Sequence, residues 1–292
     1  MVTMLSMIYH YTSIQALNDI LNEYRAAKDK EHLVFWASSA YAMNDSTEMQ
    51  YGWEVLRNNF LSYETKHNIP EDKRLSSFMD KMVNSDIAGV FYQHFYREEL
   101  TPFFLSFSEN RDDLTMWSMY GGGGTGVCLC FDEEHLEIKD DLLITFSLLN
   151  VLYVNQKDND ELTSQVLGQV APTQYNQYLH ESTWNNLTKT TTIGSVLPFI
   201  SAYIKDSSFK YEKEKRISII AKDIHQSVLF RTSSKGNVIP YIKVPVPKAA
   251  LKEIIIGPCC QTAHIEKGLK LNMSICDLNT SISLSNVPYR NY

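Results

Sequence analysis

Apolar positions along the chain follow two spacings, and each spacing predicts a different kind of element. Residues 8–13 form a short extended run that leads into a stripe at three- and four-residue spacing, made by Ile14, Leu17, Ile20, Leu21 and Tyr24. This pattern predicts a strand followed by a helix. Thr12 and Gln15 have capping-box spacing at the start of that helix. A second apolar run, residues 33–39, predicts a second strand.

Two amphipathic segments follow and predict a helical insertion at about residues 46–99. In the first, Asp45 and Glu48 again have capping-box spacing, and one apolar stripe carries Met49, Trp53, Leu56, Phe60 and Tyr63. The second, residues 71–99, has a stripe of Met and aromatic side chains that we interpret as core packing. Residues 172–205 predict a further, interrupted helical segment.

The middle of the chain, residues 103–132, combines two predicted strands with a short helix and a glycine turn. Residues 103–107 and 127–131 have the apolar composition and alternation of strands. Residues 114–120 form about two helical turns, which four consecutive glycines end. The sequence therefore predicts a compact strand, helix, turn and strand unit.

This central unit is a candidate ligand cradle. Its strand would offer the hydroxyls of Ser106 and Ser108, its helix the rings of Trp117 and Tyr120, and its glycines a backbone that a ligand can approach closely. Such a surface suits a planar ligand with polar edges. The structural alternative is that both rings pack in the core and that the glycines form only a hairpin.

The remaining apolar runs complete the predicted fold. They predict a short helix at 262–271 and strands at 148–154, 238–246, 251–256 and 274–284. Because strands and helices do not alternate as a doubly wound fold requires, we predict an α+β protein with a mixed or antiparallel split sheet. No internal repeat and no linker composition divides the chain, so we predict a single domain over residues 1–292.

Composition and charge narrow the classes of function. The chain has 292 residues, of which 44% are hydrophobic and 21% charged, as in soluble globular proteins. A net charge of −7 argues against a general polyanion-binding surface, although a local basic groove is compatible with it. No apolar run approaches the roughly 20 residues of a membrane span, and the N-terminus lacks the features of a secretory signal. We therefore predict no membrane partner.

Cysteine usage predicts a cytoplasmic protein without a metal site. The five cysteines, an odd number, fall in apolar strand-like runs, namely Cys128, Cys130, Cys259, Cys260 and Cys276. Reduced thiols fit this pattern best. The two close pairs lack the two-residue spacer and the nearby histidines of a zinc site.

Polar residues at the ends of the first two predicted strands are candidate ligand contacts. His10 precedes a helix N-terminus, where its ring can offer a nitrogen to a ligand while the helix dipole disfavours protonation. Asn44 and Asp45 follow the second strand and would line the same pocket. A hydrogen-bonded structural histidine, a turn at Asn44 and a helix cap at Asp45 are the structural alternatives.

A charged segment directly before a β-branched run is the third candidate. On an extended backbone, side chains two residues apart share a face, which would place Glu212 and Glu214 together. One glutamate would bind or activate a hydroxyl-bearing ligand, and Arg216 would orient it. Charge protection of a sheet edge is the structural alternative.

Five motifs occur in order along the chain, namely Tyr9–Thr12, Asn44–Asp45 with Glu48, Met116–Tyr120 with Gly126–Asp132, Tyr211–Arg216 and Glu253–Pro258. Together they closely resemble the bacterial domain-of-unknown-function family numbered 2971, over about residues 8 to 290. That resemblance implies no activity by itself.

A more distant comparison implies chemistry. A strand-borne histidine, a serine and tyrosine cradle and a glutamate that opens a late strand resemble the His-Tyr-Glu layout of ADP-ribosyltransferases. The matching positions are His10, Tyr120 and Glu214, with Glu212 as a second candidate glutamate. The resemblance implies that the histidine binds the ribose next to nicotinamide, the tyrosine stacks on nicotinamide, and the glutamate holds a ribose hydroxyl and aids transfer. It also implies a split sheet like that of the ADP-ribosyltransferase fold.

The resemblance therefore implies an NAD-dependent ADP-ribosyltransferase, with NAD as substrate, no metal, and an unknown protein or nucleic-acid acceptor, in a bacterial defence (antiviral) or toxin system. Catalysis would involve Glu214, Glu212, His10 and Tyr120. The NAD-binding residues would be His10, Tyr11, Thr12, Asn44, Asp45, Ser106, Ser108, Trp117, Tyr120 and Arg216.

Two alternatives come from other classes. A nucleotide sensor or a protein-interaction module of a defence system could use the same pocket without turnover. A nuclease or RNA-modifying enzyme would need a basic groove around Lys213, Lys215 and Arg216.

Overall fold

An open, mostly antiparallel sheet organises the protein, and eleven strands belong to it within the part that the structure describes. The computed structural model describes residues 6–40, 48–66, 68–84, 102–145, 148–155, 200–232, 236–260 and 262–289. Its strands are β1 (Met7–Thr12), β2 (His32–Ser39), β3 (Phe103–Ser108), β4 (Val127–Asp132), β5 (Leu143–Thr145), β6 (Leu149–Asn150), β7 (Leu152–Val154), β8 (Ile204–Asp206), β9 (Glu214–Ala221), β10 (Val228–Thr232), β11 (Val238–Pro247), β12 (Leu251–Ile256) and β13 (Ser281–Leu284).

The helices confirm that the fold is α+β. They are α1 (Ile14–Ala26), α2 (Glu48–Lys66), α3 (Leu75–Asn84), α4 (Leu114–Met119), α5 (Ile224–Ser227) and α6 (Thr262–Ile275), with 3₁₀ turns at Glu71–Lys73, Glu133–His135, Ser207–Glu212 and Lys248–Ala250. Helices α2 and α3 lie in the predicted insertion at 46–99, whose residues 85–99 lie outside the described part. Most of the helical segment predicted at 172–205 also lies outside it. Its last two residues are in strand β8, so the prediction was wrong there.

The strand order creates a split in the sheet. The path is β10, β11, β2, β3, β1, β4, β12, β13, and β9 pairs with β3 on its other edge. Strand β9 covers β3 along its whole length, from Phe103 to Ser108. The opposite edge of β3 is shared, because β2 pairs with Phe103 and Phe104 whereas β1 pairs with Ser108. Strands β1 and β2 therefore diverge beside residues 105–107.

The main core lies between one face of the sheet and helices α1 and α6. Leu17 and Leu21 of α1 and Leu269 of α6 are buried against Phe35 and Phe131 of the sheet. The predicted stripe of α1 is thus its buried face. The opposite face of the sheet carries a smaller apolar cluster and most of the polar residues considered below. His10 is on the face of the main core, beside Phe35 and Phe107.

Two local predictions and one structural alternative were wrong. Ser13 rather than Thr12 caps α1, because its hydroxyl accepts the Ala16 N–H at 3.0 Å. The strand predicted at 274–284 begins only at Ser281, since α6 continues to Ile275. Strand β9 is not an edge strand, because β3 pairs with one side of it and β5 and β6 with the other.

Two glycines allow the ends of β1, β4 and β12 to approach each other closely. A Cβ atom on Gly126 would lie 2.2 Å from the Thr12 carbonyl oxygen, and one on Gly257 would lie 2.4 Å from the Gly124 carbonyl oxygen. Neither oxygen can move without a backbone shift. These glycines are therefore required by packing.

We expect Gly126→Ala to lower the free energy of unfolding by about 1–3 kcal/mol, because the methyl group would push against backbone that the sheet holds in place. Gly268→Ala, in α6, is the control. Apart from the backbone of α6 itself, no heavy atom of the described residues lies within 4 Å of the added Cβ there. We therefore expect a gain of about 0.5–1 kcal/mol from the lower entropy of the unfolded chain. Chemical denaturation measures both, and a Gly126→Ala protein as stable as the parent would contradict the packing argument.

Candidate functional site

A cavity of about 780 Å³ lies where β1 and β2 diverge along β3. This volume is within the usual range of small-molecule sites. Its walls include exposed side chains of Ser13, Met119 and Ser208, so it opens to the surface. Of the predicted site residues, those that line it are His10, Tyr11, Thr12, Ser106, Ser108, Tyr120, Glu212 and Glu214. The structure thus brings together side chains from the beginning, the middle and the last third of the chain.

Two predicted contacts do not line the cavity. Trp117 is fully buried, its indole N–H donates to Asp112 at 2.8 Å, and its ring packs edge-on against Tyr11. The structural alternative is therefore right for Trp117, which is core. Arg216 is also buried and contacts Glu214 behind the wall. Asn44 and Asp45 lie outside the described residues.

The glycine turn is not part of the cavity wall either. Gly124 packs against Cys259 and Tyr289, and its carbonyl oxygen accepts the Cys259 N–H at 2.9 Å. None of the four glycines lines the cavity, so, contrary to the prediction from the sequence, the turn does not offer its backbone to a ligand there.

His10 is held in one orientation at the split. Its Nδ1 lies 2.8 Å from the carbonyl oxygen of Ser106, and its ring stands edge-on to Phe35 and Phe107 at 6.0 Å between centroids. Burial lowers the pKa of His10, and the bond to Ser106 acts in the opposite sense. A neutral ring that donates from Nδ1 presents Nε2 as an acceptor, so His10 is suited to receive a hydrogen bond from a hydroxyl group.

Two of the lining hydroxyls fix the wall itself. The Tyr11 hydroxyl donates to the Asn110 carbonyl at 2.8 Å and accepts the Asp113 N–H at 3.0 Å. The Ser108 hydroxyl donates to the Glu212 carbonyl at 2.5 Å and accepts the Asn110 N–H at 3.0 Å. These bonds join β1, β3 and the segment that carries the glutamates.

Glu212 and Glu214 converge, as predicted, but through a different backbone. Glu212 ends a 3₁₀ turn, Lys213 adopts the left-handed conformation with φ 42°, and Glu214 begins β9. Both carboxylates accept from Lys205, at 2.8 Å for Glu212 and 2.7 Å for Glu214. A buried lysine therefore holds the two carboxylates together, which an extended strand alone would not do.

The two glutamates differ in their other partners. Glu214 accepts from Arg216 Nε at 2.6 Å and from Arg216 Nη2 at 2.9 Å. Glu212 accepts from the Tyr120 hydroxyl at 2.5 Å. Glu214 thus faces two cations, whereas Glu212 connects the lysine to the predicted ring-stacking tyrosine.

The cations decide the ionisation of Glu214. Burial raises the pKa of its carboxyl group, but Arg216 and Lys205 outweigh that effect and hold the pKa at about 2. The carboxylate is therefore ionised at neutral pH. Lys205, Glu212, Glu214 and Arg216 thus form one buried cluster of two acidic and two basic side chains.

Sequence reasoning missed Lys205, which ends the apolar run Ile200 to Ile204. A lysine that closes such a run was the available signal, but the residue was assigned to a helix. Tyr153 was also missed, and its hydroxyl accepts the Glu214 N–H at 2.8 Å. The far part of the cavity, on the β2 and β10 side of β3, is lined by Trp36, Ser38 and Arg231, which were not predicted.

The basic groove required by a nuclease is absent at the predicted residues. Arg216 is buried and paired with Glu214. Lys215 pairs with Glu133 at 2.8 Å and with Glu109 at 3.5 Å. Of the three, only Lys213 is exposed and without an ion pair among the described residues. One exposed charge does not form a basic groove.

Three further properties of the described residues concern metals, membranes and thiols. No three His, Cys, Asp or Glu side chains lie close enough there to hold a metal ion. No described helix combines the length and apolar character needed to cross a bilayer. The five cysteines are free thiols.

Residues 116–217 match the model of a family described as Protein of unknown function (DUF2971). The match supports the family resemblance of the sequence motifs, and the matched segment contains Tyr120, Glu212, Glu214 and Arg216. No curated protein and no solved structure matches the chain.

Proposed function

We propose that this protein is an ADP-ribosyltransferase-like enzyme that cleaves the nicotinamide–ribose bond of NAD and transfers ADP-ribose to an acceptor. The observation that carries the proposal is the convergence of His10, Tyr120 and the Glu212–Glu214 pair on one open cavity of about 780 Å³. The divergence of β1 and β2 beside β3 is the feature that supports a relation to the split sheet of that fold.

The chemistry needs few groups. Breaking the bond between nicotinamide and ribose develops positive charge on the ribose ring, and the bonding electron pair leaves with nicotinamide. A carboxylate near that charge lowers the barrier because it interacts more strongly with the transition state than with the substrate. Glu212 and Glu214 are the candidates, since both line the cavity.

The other residues would position the substrate. Tyr120 would stack on the nicotinamide ring, and its bond to Glu212 would fix the ring plane relative to the carboxylate. Neutral His10 would accept a hydrogen bond from a ribose hydroxyl through Nε2, while its bond to Ser106 keeps the tautomer. An acceptor hydroxyl or water would then attack the ribose carbon and lose its proton to a carboxylate.

Incubation with NAD labelled in the nicotinamide ring tests the proposal without knowledge of the acceptor. We expect time-dependent release of free nicotinamide, because water can replace the acceptor. If micromolar enzyme releases no nicotinamide over several hours but NAD raises the unfolding temperature, the protein binds NAD without cleaving it. If NAD is not cleaved and does not raise the unfolding temperature, NAD is rejected as a ligand.

A non-catalytic nucleotide-binding module is the second candidate. The observation in its favour is the saturation of Glu214, whose two oxygens accept from Arg216 and Lys205. A carboxylate held in this way is suited to maintain the shape of a pocket. The same NAD experiment separates the two candidates.

A further inference from the structure

The far part of the cavity contains two buried donors that have no acceptor among the residues that the structure describes. They are the indole Nε1 of Trp36 and the guanidinium Nε of Arg231. Both residues line the cavity. Buried donors are nearly always satisfied in folded proteins, so two on one cavity wall indicate a ligand with acceptor atoms.

Sheet register places these donors on one surface. Trp36 and Ser38 are two residues apart on β2 and share a face. Strand β11 pairs Tyr241 with Ser38 and with Leu229 of β10, so Arg231, two residues beyond Leu229, lies on the same face. Its Nη2 donates to the Ser38 hydroxyl at 3.1 Å.

The charge of Arg231 has no counter-charge in the described part of the chain. No carboxylate there forms an ion pair with it, whereas Arg57, Arg111 and Arg216 each have one. Burial lowers the pKa of the Arg231 guanidinium, with Tyr241 acting in the opposite sense. A partly desolvated cation that faces a cavity favours an anion.

The donor set fits a phosphate group. Arg231 offers its planar guanidinium, Trp36 its indole N–H, and Ser38 keeps its own proton because its oxygen accepts from Arg231. A tetrahedral phosphate presents several acceptor oxygens in different directions, and a guanidinium matches two of them.

We propose that Arg231, Ser38 and Trp36 form an oxyanion subsite that binds a phosphate group of the ligand, at the opposite part of the cavity from Glu212 and Glu214. The subsite itself stands on these donors alone. Its assignment to the pyrophosphate of NAD rests on the proposed function. The cavity then has a carboxylate region for the ribose and a cationic region for the pyrophosphate.

Inorganic pyrophosphate, titrated by calorimetry at constant ionic strength, tests the subsite apart from catalysis. We expect Arg231→Gln to weaken binding about 10- to 100-fold, because it removes a charged donor, and Trp36→Phe to weaken it about 3- to 10-fold. Lys222→Gln removes one positive charge on a side chain that does not line the cavity, and should change binding less than twofold.

Each result has one interpretation. No pyrophosphate binding by the parent protein, or equal binding by Arg231→Gln, overturns the subsite. If Arg231→Gln does not fold, as judged by circular dichroism, Trp36→Phe decides in its place. Arg231-dependent pyrophosphate binding without nicotinamide release keeps the subsite and rejects the transferase. If Arg231→Gln releases nicotinamide with an unchanged KM for NAD, the transferase is kept and the subsite is rejected.

Discussion

Arg216→Met is expected to lower the free energy of unfolding by about 3–5 kcal/mol, the usual cost of removing one partner from a buried ion pair. Arg216 is 1% exposed and, among the described residues, supplies two of the three hydrogen bonds to the Glu214 carboxylate. Its Nη1 also donates to the Ala202 carbonyl at 2.5 Å. Methionine would leave the carboxylate with Lys205 alone and the carbonyl without this donor.

Arg57→Met is the matched control. Arg57 binds Asp80 through the same two nitrogens, at 2.7 and 2.6 Å, but the pair lies at the surface with 31% and 42% of the side chains exposed. Solvent screening limits such pairs to about 1 kcal/mol or less. Equal losses in the two variants, measured by denaturant unfolding, would contradict the importance of burial.

The same cluster predicts sensitivity to acid. The pKa of Glu214 in the folded protein is about 2, below the ordinary glutamate value of 4.5. The unfolded chain therefore binds the proton first as pH falls, so the stabilisation is complete above about pH 4.5 and is lost between pH 4.5 and 2. Unfolding free energies of Glu214→Gln should lack this component of the pH dependence.

Replacing either cavity glutamate with glutamine is expected to reduce nicotinamide release from NAD by about 100- to 1000-fold, if the proposed reaction is correct. The amide keeps the size of the side chain but removes the negative charge that opposes the charge developing on ribose. Glu212→Gln also weakens the acceptor for Tyr120, and Glu214→Gln leaves Arg216 and Lys205 in excess. Activity should be measured well below the unfolding temperature of each variant, so that a loss of activity does not reflect unfolding.

Glu133→Gln and Tyr120→Phe complete that experiment. Glu133 accepts from Lys215 at 2.8 Å and does not line the cavity, so its variant should retain full activity. Tyr120→Phe keeps the ring and removes the hydroxyl that donates to Glu212, which separates stacking from orientation. NAD binding by calorimetry should persist in both glutamate variants. Full activity in Glu212→Gln and in Glu214→Gln would refute the assignment of the carboxylate.

The chain's periodicity was a good guide to local structure. The boundaries of α1, β2, β3, β4 and β12 follow apolar spacing, because burial of one face imposes a period of 3.6 or 2 residues on the sequence. The same argument failed at the end of the 172–205 segment, where an apolar run is compatible with a helix or a buried strand. It also failed at residues 274–280, where α6 continues into a turn at Asp277 with φ 52°.

The motifs identified several cavity residues, but their partners depended on contacts between distant segments. His10, Tyr120 and Glu212 were chosen for their chemistry at element ends, where side chains often reach a ligand. Trp117 also lies near the end of an element, but it is part of the core. Tyr11 and Asp112, which contact its ring, reach it only in the folded chain.

Side-chain spacing along the chain specifies which face of each helix or strand is buried, and the amino-acid types specify which groups can bind or transfer a proton. The order of the strands decides the rest. The separation of β1 from β2 opens the cavity, and Lys205 and Arg231 reach it from segments whose apolar spacing does not place them there. Such contacts join residues far apart in sequence, and their free energy depends on burial and charge that exist only after the sheet has formed.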